Sequence, residues 1–157
     1  MKSILTMFAV VFTISFCTKG CSDNRETTQT QNNGNGTYIP STSKMKITIG
    51  SRVFTATLYD NQSATAFKEM LPLTINMTEL NGNEKYFDLP ENLPANASNP
   101  KTIQNGDLML YGSNTLVLFY KTFSTSYSYT KIGKVDNPED LQKALGSGNV
   151  NVTFELE

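Results

Sequence analysis

Histidine is missing from the 157-residue chain altogether, and so is tryptophan. Without histidine the commonest general base is gone, together with Ser-His and Cys-His nucleophile pairs and most catalytic zinc sites. Cysteine occurs only at Cys17 and Cys21, so the chain beyond them can form no disulfide and must hold itself by burial. Basic residues are never gathered into a run that could track a phosphate backbone, and 13 of them face 14 acids; nucleic acid is not an expected partner. Asp88 and Glu91 lie close in sequence, but nothing completes a calcium loop or a paired-carboxylate site. Neither a metal nor a cofactor is therefore expected. The one long apolar run, Ile4 to Phe16, is too short to span a bilayer as a stable helix.

That run follows a positive start at Lys2, so residues 1–20 read as an export signal. A lipoprotein signal places a small residue just before the cysteine that is acylated, because the processing peptidase must fit that side chain beside the scissile bond. Gly20 before Cys21 meets that need, whereas Phe16 before Cys17 does not. Cys21 is the expected lipidation site, with Thr18 and Lys19 departing from the usual aliphatic and small residues. Ordinary secretion is the competing reading. Cleavage before Cys21 removes Lys2 and Lys19, leaving 11 basic residues against 14 acidic ones, a net charge of −3. Residues 21–43 are Thr, Gln, Asn and Gly with almost nothing apolar, a composition that cannot bury enough surface to order itself. They read as a solvated tether with a coil-like reach of roughly 25 Å. The expected setting is the bacterial cell envelope, periplasmic or surface-exposed, with membrane contact through the lipid anchor only.

Residues 44–157 read as one folded domain. Met45, Ile47 and Ile49 alternate with polar residues, Gly50-Ser51 reverses the chain, and Arg52 to Tyr59 completes a hairpin. Ala64, Phe67, Met70 and Leu71 recur at helical spacing after cap candidates at Asp60 to Ser63 and before Pro72. Leu73, Ile75 and Met77 alternate with Thr74, Asn76 and Thr78, and Asn81-Gly82-Asn83 turns that strand back toward Tyr86-Phe87. Leu89 to Gln104, with Pro90, Pro94 and Pro100, reads as a long loop of the kind that often lines a site. Leu108 to Tyr111 and Leu116 to Tyr120 form a hairpin that does not alternate, so both of its faces should be covered, as in a small closed barrel with helices at its ends. Asp136 or Asn137 as cap, Pro138 in the first turn, Leu141, Ala144 and Leu145 as a buried face, and Gly146 as terminator predict a second helix. Val150, Val152, Phe154 and Leu156 predict a last strand that returns to the first.

Several words in this order carry a resemblance: Leu71-Pro72-Leu73, Gly82-Asn83-Glu84-Lys85-Tyr86-Phe87, Gly106-Asp107, Leu116 to Tyr120, and Tyr129-Thr130-Lys131-Ile132-Gly133-Lys134. Over Met45 to Glu157 the chain resembles a bacterial cyclophilin-like family of small stand-alone barrels. The resemblance implies a mainly β fold, a closed cyclophilin-like β-barrel with two short α-helices, and implies little about chemistry, since that family is largely uncharacterised. True cyclophilins share a Phe-His-Arg word after the first helix whose arginine polarises the proline amide. Here Leu73-Thr74-Ile75-Asn76 stands in that place, and Arg52 is the domain's single arginine. Lysine or asparagine cannot offer the two parallel donors of a guanidinium, so prolyl isomerase activity is not expected.

Tyr86, Tyr111, Tyr120, Tyr127 and Tyr129 crowd around the central hairpin and the loop that follows it. Tyrosine offers a flat apolar body with one polar tip, suited to gripping a small molecule or an extended peptide. The competing reading for any one of them is barrel packing with the hydroxyl at the rim. Phe123, Tyr127 and Tyr129 have Ser and Thr neighbours that predict solvent access. The expected binding residues are Tyr86, Tyr111, Phe123, Tyr127 and Tyr129, in a cleft between the proline-rich loop and the Phe123 to Tyr129 loop. Asp107 is expected to brace the turn before its strand. Glu84, Lys85, Lys131 and Lys134 are expected to be solvated charges at strand ends. No catalytic residue is expected.

Overall fold

The computed structural model describes residues 43–157; the export signal, Cys21 and the tether up to residue 42 lie outside the described residues. The first hairpin is β1 (Lys44–Ile49) and β2 (Arg52–Leu58), turning at Gly50 with a φ of 59°. Helix α1 (Gln62–Glu69) begins where Asn61 accepts a hydrogen bond from the Ala64 amide at 2.9 Å, and it buries Ala64 and Phe67. That cap satisfies one of the amides that a helix start leaves without an intrahelical partner. The Phe67 ring meets Phe154 edge-on at 5.8 Å, which fixes the helix against the barrel interior. Next come β3 (Leu73–Leu80) and β4 (Glu84–Asp88), joined through Asn81 and Gly82 with φ values of 55° and 69°. Those left-handed values are why an Asn-Gly pair is found there.

The central hairpin is β6 (Asp107–Tyr111) and β7 (Thr115–Phe119), preceded by the two-residue β5 (Thr102–Ile103) and followed by the two-residue β8 (Phe123–Ser124). Strand β9 (Thr130–Val135), helix α2 (Leu141–Leu145) and strand β10 (Val150–Leu156) complete the domain. Eight strands close into a barrel in the order β1-β10-β3-β4-β7-β6-β9-β2, while β5 and β8 pair separately. All the pairs are antiparallel; β10 returns to β1 as expected, and its other edge pairs with β3. The tightest approach is at Gly133 opposite Leu58 on β2, where an added Cβ would stand 2.7 Å from the Thr57 carbonyl oxygen.

The missing alternation in the central hairpin has a direct physical cause. Leu108, Leu110, Leu116 and Leu118 point into the barrel with Met45, Ile47 and Phe154. Met109, Val117 and Phe119 point outward, into a second cluster with Ile103 and Tyr129, flanked by Tyr86 and Phe123. Both faces are covered as expected, the inner one by the barrel core and the outer one by β5, β8 and the segment around them. Among the described residues no helix is long and apolar enough to cross a membrane.

Two expectations of local structure are corrected. Helix α2 does not start near Pro138; it starts at Leu141, and its N-cap residue Asp140 makes no side-chain capping bond. Of the two expected caps, Asp136 accepts instead from Lys44 at 2.7 Å and from Thr57 at 2.6 Å, and Asn137 accepts from the Glu139 amide at 3.2 Å, ahead of the helix; Asp140 itself accepts from Arg52 at 2.8 Å. The proline-rich stretch is also more than a loop, because it includes β5, buries Leu89 and Leu93, and bridges Ser98 to Tyr129.

Candidate functional site

Successive residues of a strand face opposite sides of its sheet, and on β4 that places Lys85 and Phe87 inward and Glu84, Tyr86 and Asp88 outward. Register then sets rows across the outer wall. Tyr86 stands beside Val117 and Met109, and Asp88 stands beside Thr115 and Tyr111. Phe123, Tyr127 and Tyr129 approach this wall from the segment that includes β8. That segment is held from behind, where Thr125 donates its amide to the Lys101 carbonyl at 2.9 Å and Tyr129 and Ser98 exchange backbone hydrogen bonds at 3.0 Å.

Between wall and segment lies a cleft of about 600 Å³. Its lining includes all five of the aromatic residues expected from the sequence, Tyr86, Tyr111, Phe123, Tyr127 and Tyr129, with Val117 at the floor. Four of these rings, with the buried Phe119 between two of them, form a continuous chain. Phe123 lies 5.8 Å from Phe119, Phe119 meets Tyr129 at 5.4 Å and 90°, Tyr129 meets Tyr111 at 5.7 Å, and Tyr111 meets Tyr127 at 6.1 Å and 87°. Such tilted and edge-to-face contacts hold ring planes at set angles as well as burying area. The outer end of the chain is open, with Tyr111 47% and Tyr127 61% exposed. Burial, followed by the nearby Glu84 charge, raises the Tyr129 phenol above its ordinary value, so it stays protonated at neutral pH.

The proline-rich loop, expected to form one wall, does not line this cleft. It braces the aromatic segment from behind through Ser98 and Lys101, and it lines a separate polar depression beside α1 with Ser63 and Thr130. Two further lining residues, not expected in a site, are acids: Glu84, expected to be solvated but half-buried, and Asp88, expected only as half of an incomplete carboxylate pair, which accepts a hydrogen bond from Thr115 at 2.6 Å. The alternation of Glu84, Tyr86 and Asp88 along one strand was the signal that could have found them. Burial, then the charge on Glu79, raises the Glu84 carboxyl above its usual range.

Tyr120 is not part of the aromatic cleft. Its hydroxyl donates to Glu79 at 2.8 Å, on the wall of a second, more polar cleft of about 850 Å³ beside α2. Lys85, expected to be solvated, is 0% exposed. Its ammonium donates to the Glu79 carboxylate, to the Gly146 carbonyl at 3.0 Å and to the Gly148 carbonyl at 2.6 Å, and it lies 5.5 Å from the centre of the Tyr120 ring. An ammonium has three donors, and here each has an acceptor, so the group braces the α2–β10 connection and has no proton free for a substrate. Burial alone would raise the Glu79 carboxyl, but hydrogen bonds from Lys85, Tyr120 and the Gly82 amide, with the Lys85 charge, outweigh it and hold the group below its ordinary value. Asp107 braces its turn as expected, accepting from the Gln104 amide at 2.8 Å, with Lys134 at 3.7 Å. Among the described residues no three acids or cysteines converge in a way that could hold a metal ion.

A family model described as "Cyclophilin-like family" matches residues 47–155. A structure of similar shape is the solution structure of a hypothetical protein from Archaeoglobus fulgidus. It is 16% identical, with a TM-score of 0.52, over 74% of this chain and 95% of that one. At that identity the likeness concerns the fold alone. No curated protein matches the sequence.

Proposed function

The chain belongs to the cyclophilin-like family, and from that premise we propose that it is a non-catalytic binding module of the bacterial cell envelope, carried on a lipid anchor at Cys21. Its ligand is a small molecule or short peptide held in the aromatic cleft. The observation that carries this reading is the convergence of Tyr86, Tyr111, Phe123, Tyr127 and Tyr129 on one concave space of about 600 Å³, within the usual size of small-ligand sites. The absence of histidine and the fully engaged Lys85 ammonium support binding over catalysis. The leader and the polar residues 21–43 support the envelope setting.

Prolyl isomerisation is the alternative reading and is disfavoured. Arg52, the domain's single arginine, is bound to Asp140 and lines neither the aromatic cleft nor the cleft beside α2. The test of the binding reading is a fragment and peptide screen followed by tyrosine resonances in NMR. Compounds should shift the signals of Tyr111, Tyr127 and Tyr129 together, and Tyr127→Ala should weaken capture while changing stability by less than about 0.5 kcal/mol, as expected for an exposed side chain. Compounds that bind with those signals unmoved, or with equal affinity for the variant, would overturn the assignment of the site.

A further inference from the structure

We propose that the aromatic cleft selects organic cations, specifically an alkylated ammonium group or the cationic side chain of a peptide. This rests on the reading of the cleft as a binding site and names the chemistry of its occupant. The chain as a whole nearly balances its charges, with 13 basic and 14 acidic residues. The cleft lining does not, since it holds Glu84 and Asp88 and no lysine or arginine. The neighbouring cation on the same strand, Lys85, points through the wall into the barrel and is consumed by Glu79.

Glu84 is half-buried, and its carboxylate has no hydrogen-bond or ion-pair partner among the described residues. A partly desolvated carboxylate without a partner is a cost that a bound cation relieves. Burial and the Glu79 charge already disfavour its ionised form, consistent with a site lacking positive charge. The rings supply the other half of the recognition. Tyrosine and phenylalanine faces attract cations, most strongly where water is excluded, and the outer rings of the tilted and edge-to-face chain, Tyr111 and Tyr127, are open to the cleft's solvent side. An anion would meet two carboxylates and no compensating cation, and a neutral apolar ligand would leave Glu84 as it is.

Choline and 3,3-dimethyl-1-butanol have the same shape and differ by one charge, so they separate this proposal from the reading beneath it. Titration of the protein with each, followed at the Tyr111, Tyr127 and Tyr129 resonances, should show choline binding about tenfold more tightly. Glu84→Gln, with Asp88→Asn as a second variant, should bring the ratio toward one while the unfolding temperature stays unchanged. A blocked Ala-Arg-Ala peptide in a third arm distinguishes the source: tighter binding than choline assigns the cation to a protein, weaker binding to a free small molecule, and either order supports the proposal if charge sets the preference. Equal binding of choline and its neutral isostere overturns the cation assignment and leaves the cleft a binding site. Failure of choline and the peptide to bind overturns the cation assignment too, and the fragment screen then decides the reading beneath it.

Discussion

Replacing Lys85 by methionine keeps a similar apolar stem and removes the ammonium that ties β4 to the α2–β10 connection. Glu79 then loses its ion-pair partner, and the Gly146 and Gly148 carbonyls lose a donor. Removing one member of a buried pair costs about 3–5 kcal/mol, because the charge left behind is uncompensated. Glu79 keeps the Tyr120 hydroxyl and the Gly82 amide and is 20% exposed at its side chain, which places the expectation at the lower end, about 3 kcal/mol. For a domain of 115 described residues this is a fall in unfolding temperature of roughly 12 °C, or about 1.5 M in the urea midpoint. Urea unfolding at neutral pH reads it directly. Glu79→Gln added to Lys85→Met removes the stranded charge and should recover part of the loss. The pH dependence has a definite direction. The folded-state pKa of Glu79 lies below its unfolded value, so its contribution is complete above the unfolded value near about 4.3 and is lost as pH falls through the folded one. The gap between wild type and Lys85→Met should therefore shrink in acid. A loss under about 1 kcal/mol, or a double variant no better than the single one, would refute the view that this buried network holds the α2 end of the barrel together.

Gly133→Ala should cost about 1–3 kcal/mol in urea unfolding, because the new Cβ meets the Thr57 carbonyl oxygen at 2.7 Å and must separate β2 from β9; an unchanged midpoint would show that the two strands give way easily. Cys21→Ser should abolish metabolic acyl labelling and release the protein from membranes, whereas label retained in the variant would move the lipid to Cys17.

The barrel was legible because its strands carry their burial in their spacing. Met45, Ile47 and Ile49 on β1 and Ile75 and Met77 on β3 alternate as buried residues do, and Leu108 to Leu110 fails to alternate because both of its sides are covered. Phe123, Tyr127 and Tyr129 could be picked out because their Ser and Thr neighbours marked an open segment, and Tyr86 and Tyr111 because they lie near the central hairpin. Strands β5 and β8 could not be foreseen, since two residues show no periodicity. The start of α2 was misplaced because Asp136 and Asp140 form ion pairs with residues about 90 positions earlier, which no local cap signal reports. Lys85 shares its inward face with Phe87, but two of the three acceptors that make its burial tolerable come from residues 61 and 63 positions later. A lysine is ordinarily kept out of such a place, so reading the charge as solvated was the wrong outcome of a sound rule.

Closure of the eight strands leaves the barrel no free edge, and this restricts how a peptide could be recognised. Binding by β-augmentation, in which a guest adds itself as a further strand and is gripped through its main chain, needs an open row of amides and carbonyls. The barrel offers none. The separate β5–β8 pair has only two residues per strand, too short a row to grip a main chain, so a peptide guest would be read mainly by its side chains, and its selectivity should depend on which residue enters the cleft and tolerate wide variation in the residues around it.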